Sequence, residues 1–186
     1  MFERTHVAAT LEKQFRRLSE LLYDTRVDPK LADAAVTPLL AENVRFTDPW
    51  QTASGRKKYR IGIAGFHAMF RFHLDIAQLN VHIAEDNTTA RVLVDGVMQL
   101  QPLGPWYTYP LRTILVYDLT LTDNGTADPT VHIVAHEEMW SLAEMIANVP
   151  LSGAFYTRVF RPAFSRGFLV ASWMSAKARG MLPNQD

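Results

Sequence analysis

The sequence places one carboxyl group on the apolar side of a short predicted strand. Val44, Phe46 and Asp48 are separated by single residues, so in an extended chain the Asp48 carboxylate points to the same side as two large apolar groups. Pro49 favours this extended conformation, because the residue before a proline is disfavoured in the helical region. Two interpretations stay open: the carboxylate caps backbone N–H groups in an Asp-Pro turn, or it lies in a pocket as an acid–base group.

A second group of polar side chains lies on the last predicted strand, Thr130–Trp140. In a strand, alternate side chains share a face, which groups His132, Val134, His136, Glu138 and Trp140 on one side and Val131, Ile133, Ala135, Glu137 and Met139 on the other. His136 and Glu138 can form an acid–base pair or hold a polar group of a ligand, with Trp140 as an apolar floor. The alternative is a structural polar network, completed by an arginine, beneath the C-terminal segment.

The histidines do not have the spacing of a metal site. His132 and His136 are four residues apart, which on a strand is roughly 13 Å, too far to share one ion. His67 and His73 lie on different faces of a predicted helix, and His-Glu-Glu lacks the second histidine of a zincin. The chain has no cysteine and no Walker loop, dinucleotide fingerprint or Gly-x-Ser-x-Gly elbow. We therefore predict no metal and no cofactor.

Composition excludes several further classes of protein. With 186 residues and 48% apolar content, the chain is predicted to form a domain with a sizeable core. Nineteen basic residues balance nineteen acidic ones, so no global field attracts nucleic acid. The N-terminus mixes charges before any apolar run, unlike a signal peptide, and no stretch approaches the roughly 18 apolar residues of a membrane span. We expect a soluble, cytoplasmic protein.

Hydrophobic spacing predicts three helices in the first part of the chain. The first runs from about Ala8 to Tyr23, and its core stripe is Leu11, Phe15, Leu18 and Leu22. The second follows Asp28, whose side chain can cap it, and extends to about Leu40. After the short strand and a polar loop over Gln51–Lys58, the stripe of a third helix consists of Tyr59, Ile63, Phe66 and Phe70.

Beyond the third helix the hydrophobic period changes from that of a helix to that of a strand. Four long strands are expected: Ile76–Ala84, Ala90–Gln101, Tyr107–Leu121 and Thr130–Trp140. Helices followed by consecutive strands indicate an α+β fold with an antiparallel meander rather than a parallel sheet.

The segment 141–186 has a different composition and is predicted to be a helical extension. Between Met145 and Gln185 it contains five cations, no acid and several aromatic residues. Pro162 is expected to divide it into two helical pieces. We favour packing of this extension on the sheet or on a second subunit, and a less favoured alternative is contact with an anionic membrane surface.

The order of these elements resembles that of the nuclear-transport-factor-2-like superfamily, also called SnoaL-like, which includes ketosteroid isomerase. The resemblance covers about Ala8–Trp140 and rests on the element order together with Phe46-Thr47-Asp48-Pro49. It implies a cone-shaped, curved antiparallel sheet with three N-terminal helices, built by residues 1–140, and an apolar pocket inside the cone. Residues 141–186, the helical C-terminal extension, have no counterpart in the minimal fold.

The same resemblance implies roles for individual residues. Asp48 stands at the position of the general base of ketosteroid isomerase, and Tyr117 looks like a match for the acid that stabilises the oxyanion in that enzyme. A tyrosine hydroxyl can also donate a hydrogen bond to an enolate. The other donor of that enzyme is a tyrosine inside the first helix, where this chain has Leu18-Ser19, and Tyr23 falls only at the helix end. The Trp140 side of the last strand is expected to face the cone.

These expectations combine into one pocket and two functional hypotheses. The predicted pocket is lined by Phe46, Asp48, Phe66, Tyr117, His136, Glu138 and Trp140. The leading hypothesis is binding of a small, largely apolar molecule with a carbonyl or hydroxyl group, with isomerase, cyclase or dehydratase-type proton transfer by Asp48 and an oxygen stabilised by Tyr117 or His136. The competing hypothesis is a non-catalytic dimerisation or protein-interaction module whose pocket is filled by the C-terminal extension. We expect a homodimer.

Overall fold

The structure is a computed structural model that describes residues 3–49, 52–101, 106–141, 146, 152–167 and 170. By its internal contacts the chain separates into two units, Met1–Ser141 and Leu142–Asp186. The first unit contains the sheet, and the described residues of the second are helical. No helix in the described ranges is long and apolar enough to cross a membrane.

Three helices precede the long strands, as predicted. Helix α1 is Arg4–Leu22, α2 is Pro29–Val36 and continues as a 3₁₀ turn at Thr37–Leu39, and α3 is Arg56–Met69. The predicted stripe of α1 is buried: Leu11, Phe15, Leu18 and Leu22 are each at most 3% exposed. The Asp28 carboxylate accepts a hydrogen bond from the Lys30 N–H at 2.9 Å and so caps α2, with Pro29 in the first turn.

Six described strands form one curved, unclosed sheet. They are β1 (Leu40–Thr47), β2 (Thr52–Ser54), β3 (Phe72–Ile83), β4 (Thr89–Leu100), β5 (Tyr109–Thr122) and β6 (Thr130–Trp140). The strand order is β2-β1-β6-β5-β4-β3. The consecutive strands β3 to β6 are antiparallel, whereas β1 lies parallel to β6, which makes the sheet mixed. The predicted α+β architecture with three N-terminal helices and a curved sheet is confirmed.

The region predicted as a polar loop, Gln51–Lys58, is more ordered than expected. Its described part contains β2, which pairs with the end of β1, and the first turn of α3. Gly55 makes this close connection with a φ of 94°, a backbone conformation that favours glycine. Polar composition alone predicted a loop because a three-residue edge strand carries no hydrophobic period.

Bulges in β3 and β6 interrupt the antiparallel pairing, and the bulge in β6 changes which face of the last strand its residues occupy. Ala77 is the extra residue of β3, and Val134 is the extra residue of β6. Because of the second bulge, Ile133 and His136 both point into the core and are at most 1% exposed. The prediction that His132 and Val134 share the face of His136 is therefore wrong, whereas His136, Glu138 and Trp140 do follow one alternation.

The C-terminal unit contains one described helical run. It begins with α4 (Ser152–Phe155), widens into a π-helical turn at Tyr156–Phe160 and stays helical over residues 161–167. The predicted break at Pro162 is wrong. The wide π turn ends two residues before the proline, where the missing N–H removes a helical hydrogen bond, and such bulges let helices pass a local disruption. Lys177, Arg179 and Trp173 lie outside the described residues.

Candidate functional site

A small pocket lies between β1, β2, α3 and the end of β6. Its lining consists of Phe46, Asp48, Ala53, Lys58, Tyr59, Gly62, Ile63, Phe66, Glu138 and Trp140. The interior volume is about 40 Å³, and one water molecule needs roughly 10–15 Å³ on the same measure, so the pocket holds a few waters or the polar end of a ligand. Five of the seven residues predicted to line a pocket lie here together: Phe46, Asp48, Phe66, Glu138 and Trp140.

The parallel pairing of β1 with β6 brings the two carboxyl groups to this pocket. Phe46 is paired with His136, and Thr47 with Glu137, so the next residue of each strand is Asp48 and Glu138. Asp48 is half-buried, and Glu138 is only 5% exposed. Because the chain runs in the same direction in both strands, the side-chain carboxyl groups of Asp48, just after β1, and Glu138, near the end of β6, lie at the same pocket.

The surroundings of Glu138 shift its pKa towards neutral pH. The pKa of Glu138 is raised to about 8: burial is the largest cause and the negative charge of Asp48 also raises it, while hydrogen bonds from Tyr23 and Trp140 act in the opposite direction. At neutral pH this carboxyl therefore carries a proton in most molecules. The pocket has one neutral carboxylic acid beside a second, more exposed carboxyl group, which is an arrangement that divides acid and base roles.

His136 lies behind the pocket, outside its lining, and is 1% exposed. Its Nδ1 is 2.8 Å from the Tyr59 hydroxyl and its Nε2 is 3.2 Å from the Tyr23 hydroxyl. Burial lowers the pKa of His136 to about 3, so the imidazole is neutral at physiological pH. A neutral, doubly hydrogen-bonded imidazole at this depth reaches a ligand only through the tyrosines that it contacts.

Tyr117 also lies outside the pocket lining, in the core of the sheet. Its ring packs between His136 and Phe15, whose ring centroid is 5.0 Å away. The hydroxyl forms a hydrogen bond of 3.2 Å with Ser19 Oγ, and burial raises the pKa of Tyr117. The structure thus places the residue suggested as an oxyanion donor against α1 rather than against the space where a ligand could enter.

Two tyrosines that were assigned to the core or set aside turn out to surround the acid. Tyr23, one residue beyond the end of α1, donates its hydroxyl hydrogen to Glu138 Oε1, and Tyr59 of α3 lines the pocket. Both are at most 2% exposed, and burial raises the pKa of each well above its ordinary value. A buried tyrosine needs a partner for its hydroxyl, so tyrosine on a core stripe was the available sequence signal. The partners of His136 and Glu138 in the described network are these tyrosines, in place of the expected arginine.

A metal site has no support in the described ranges. Within them, no three histidine, aspartate or glutamate side chains are grouped closely enough to hold an ion. The polar groups of the site are two acids, the Lys58 amine, phenols and one imidazole behind them, packed against apolar walls, and the chemistry of such groups is hydrogen bonding and proton transfer.

Sequence comparison gives no assignment, since no protein-family model matches the chain and no curated protein matches it significantly. Solved structures do match. Nuclear transport factor 2 from Cryptosporidium parvum is similar with a TM-score of 0.52 and 17% identity, over 72% of this chain and 94% of that one. A candidate scytalone dehydratase from Novosphingobium aromaticivorans has a TM-score of 0.54 and 15% identity, over 72% and 83%.

A third similar structure holds a small ligand. A protein from Catenulispora acidiphila with a ketosteroid isomerase-like fold, in complex with trimethylamine, has a TM-score of 0.51 and 17% identity, over 75% of this chain and 92% of that one. At such identities the likeness concerns the fold and leaves the activity open. The chain has the fold of the nuclear-transport-factor-2-like proteins, as the order of its elements predicted.

Proposed function

We propose that the pocket binds the polar end of a small, largely apolar molecule and that Asp48 and Glu138 move a proton on it. The ligand carries a carbonyl or hydroxyl group, and the reaction is a cofactor-independent isomerisation, cyclisation or dehydration. The observation that carries this proposal is the pair of carboxyl groups in unlike surroundings on one small pocket, one deeply buried and one half-buried.

The two groups have complementary tasks in such a reaction. Protonated Glu138 donates a hydrogen bond to the carbonyl oxygen of the ligand, while the Asp48 carboxylate accepts a proton from the neighbouring carbon. The electrons of that C–H bond form the carbon–carbon double bond of an enol or enolate, whose oxygen Glu138 stabilises. In a ligand with a β,γ double bond the enolate is conjugated, and return of the proton from Asp48 to the γ carbon gives the α,β-unsaturated isomer. In a β-hydroxy ketone the enolate instead expels the β-hydroxyl group, which takes the proton held by Asp48 and leaves as water.

The apolar walls of the pocket support the same chemistry. Phe66 lies roughly parallel to Trp140 with ring centroids 6.3 Å apart, and Phe46 meets Tyr59 edge-on. Such walls limit the number of water molecules near the carboxyl groups and so strengthen charge interactions within the site. The small interior fits the reacting end of a ligand.

The proposal is tested without knowing the natural substrate. Cyclohexanone and other small ketones are incubated with the full-length protein in D₂O, and exchange of their α-hydrogens is followed by ¹H NMR. We expect exchange above the buffer rate, a loss of at least tenfold in Asp48→Asn, and a smaller loss in Glu138→Gln. The matched control is Asp128→Asn, which removes an exposed carboxylate elsewhere on the same unit. Exchange that is equal in the wild type, Asp48→Asn and buffer overturns the proposal.

A second candidate function rests on the C-terminal helix. Tyr156, Phe160 and Phe164 stack at successive i,i+4 positions, with ring centroids 5.7 and 5.9 Å apart. Phe155 is 61% exposed and Phe164 is 64% exposed. A row of exposed aromatic side chains is typical of a surface that binds another protein, and it favours an interaction or dimerisation module. The two functions are compatible in one chain.

A further inference from the structure

Four buried side chains form a continuous chain of hydrogen bonds whose two ends both reach the pocket. Tyr59 contacts His136 Nδ1, His136 Nε2 contacts Tyr23, and Tyr23 contacts Glu138 Oε1. Each of the four is at most 5% exposed. Tyr59 and Glu138 line the pocket, while His136 and Tyr23 lie behind it. Apolar side chains would fill the core without such a network, whereas each buried polar group must find a hydrogen-bond partner.

The count of hydrogen atoms gives this chain a direction. A tyrosine hydroxyl has one hydrogen, and that of Tyr23 is donated to Glu138 Oε1. The Tyr23 oxygen must then accept from His136, which places the single N–H of the neutral imidazole on Nε2. His136 Nδ1 is left as an acceptor, and the Tyr59 hydroxyl donates to it. All donors therefore point from Tyr59 towards Glu138.

We propose that Tyr59, His136 and Tyr23 are positioning residues, a one-way chain of donors that keeps Glu138 Oε1 as an acceptor and leaves the acid proton on the other oxygen. The consequence for catalysis rests on the proposed function, in which Glu138 donates that proton to the ligand oxygen. When Glu138 gives up its proton, the new carboxylate already accepts the hydrogen bond from Tyr23, and no side chain has to move. Hydrogen bonds in such chains polarise one another, so Tyr59 acts on Glu138 through two intermediates.

Several other polar or aromatic groups lie around the Glu138 carboxyl. They come from every element packed around it: Asp48 after β1, Tyr23 after α1, Lys58 and Tyr59 on α3, Tyr117 on β5, and His136 and Trp140 on β6. Tyr117 is the useful comparison, because its hydroxyl is equally buried and its ring stacks on His136, yet it bonds to Ser19 outside the chain. Removing the Tyr117 hydroxyl tests for a general effect of lost core polarity.

The first measurement is the tautomer of His136 in the full-length, ¹⁵N-labelled protein. Two-bond ¹⁵N–¹H NMR at pH 7 identifies which ring nitrogen carries the hydrogen, and the ring is assigned by its NOEs to Tyr117, 4.3 Å away. We expect Nε2–H with an unprotonated Nδ1. A hydrogen on Nδ1 means that the chain runs in the opposite direction, and it overturns the proposal.

The second measurement is the titration midpoint of the Glu138 side-chain ¹³C signal in three variants. We expect a rise of roughly one pH unit in Tyr23→Phe, which removes the donor itself, and a smaller rise in Tyr59→Phe. Tyr117→Phe is expected to leave both the midpoint and the tautomer unchanged. An equal shift in Tyr59→Phe and Tyr117→Phe reveals a merely structural effect and overturns the proposal. If these NMR results are obtained while ketones show no α-hydrogen exchange, the hydrogen-bond chain is supported and the proposed reaction is contradicted.

Discussion

His136 lies nearly parallel against the ring of Tyr117, with ring centroids 4.3 Å apart and ring planes inclined by 20°. The two residues are direct partners in the antiparallel pairing of β5 with β6, so the sheet register fixes the stack. Phe15 of α1 also contacts the Tyr117 ring, with ring centroids 5.0 Å apart. Burial among such aromatic rings keeps His136 neutral, while its two ring nitrogens form hydrogen bonds with tyrosines.

The opposite shifts of His136 and Glu138 predict an unusual pH dependence of the free energy of unfolding. The pKa of His136 falls from 6.5 to about 3 on folding, so the unfolded chain binds more protons and stability rises with pH between these values. The pKa of Glu138 rises from 4.5 to about 8, so the folded chain binds more protons and stability falls with pH across that window. We expect a plateau where the two windows overlap and a loss on the order of a few kcal/mol above it, as pH approaches 8. Urea unfolding at a series of pH values measures this profile.

The same profile distinguishes the two residues. Glu138→Gln keeps an acceptor for Tyr23 and cannot ionise, so the decline on the alkaline side is expected to disappear. The plateau is expected to become a continued rise up to about pH 6.5, because only the His136 contribution remains. An alkaline decline of the same size in Glu138→Gln contradicts the assignment of the raised pKa to Glu138.

Gly96 of β4 pairs with β3 next to the bulge of that strand, and we predict that any side chain at this position destabilises the fold. A Cβ at this position would lie 2.5 Å from the Asp75 carbonyl oxygen, a contact with backbone that cannot move aside cheaply. Gly96→Ala is expected to lower the free energy of unfolding by about 1–3 kcal/mol in chemical denaturation. The matched control is Gly65→Ala on α3, where nothing lies within 4 Å and the substitution is expected to stabilise by about 0.5–1 kcal/mol. Equal effects of the two substitutions would show that the bulge tolerates a side chain.

The exposed aromatic row of the C-terminal helix predicts self-association. We expect the full-length protein to be a homodimer and Phe155→Ser combined with Phe164→Ser to shift it towards monomer, since both rings are mostly exposed in one chain. Analytical ultracentrifugation measures this shift. Trp106→Ser is the control, because it removes a 92% exposed side chain from the other unit. A monomeric wild type that co-sediments with anionic vesicles, and ceases to do so in Arg158→Gln combined with Arg161→Gln, favours a membrane surface instead.

The fold was largely predictable because most of its elements have a regular hydrophobic periodicity. The stripe of α1 is buried as predicted, and β5 alternates between buried and more exposed residues over most of its length. Two features were predicted incorrectly. The extra residue Val134 forms a bulge that changes the faces of the last strand, and β2 is too short to show a hydrophobic period. Hydrophobic pattern does not encode either event.

The candidate site was predictable only in part, and the reason lies in the tyrosines. Asp48 and Glu138 stood out as carboxyl groups on apolar faces, and the parallel register places them at one pocket. Tyr23 was set aside because it falls at the end of the predicted helix rather than inside it, yet that position lets its hydroxyl reach Glu138. Which buried hydroxyl meets which acid depends on how α1 packs across the sheet, and that is tertiary information absent from local spacing.

The most direct test of the central claim is the ¹³C titration of the Glu138 carboxyl in the wild type and in Asp48→Asn. The account places a proton on Glu138 at neutral pH, held there by burial and by the negative charge of Asp48, so we expect a midpoint near 8 in the wild type. The midpoint is expected to fall in Asp48→Asn, because one raising influence is removed. A wild-type midpoint near the ordinary 4.5 that Asp48→Asn leaves unchanged would contradict the account.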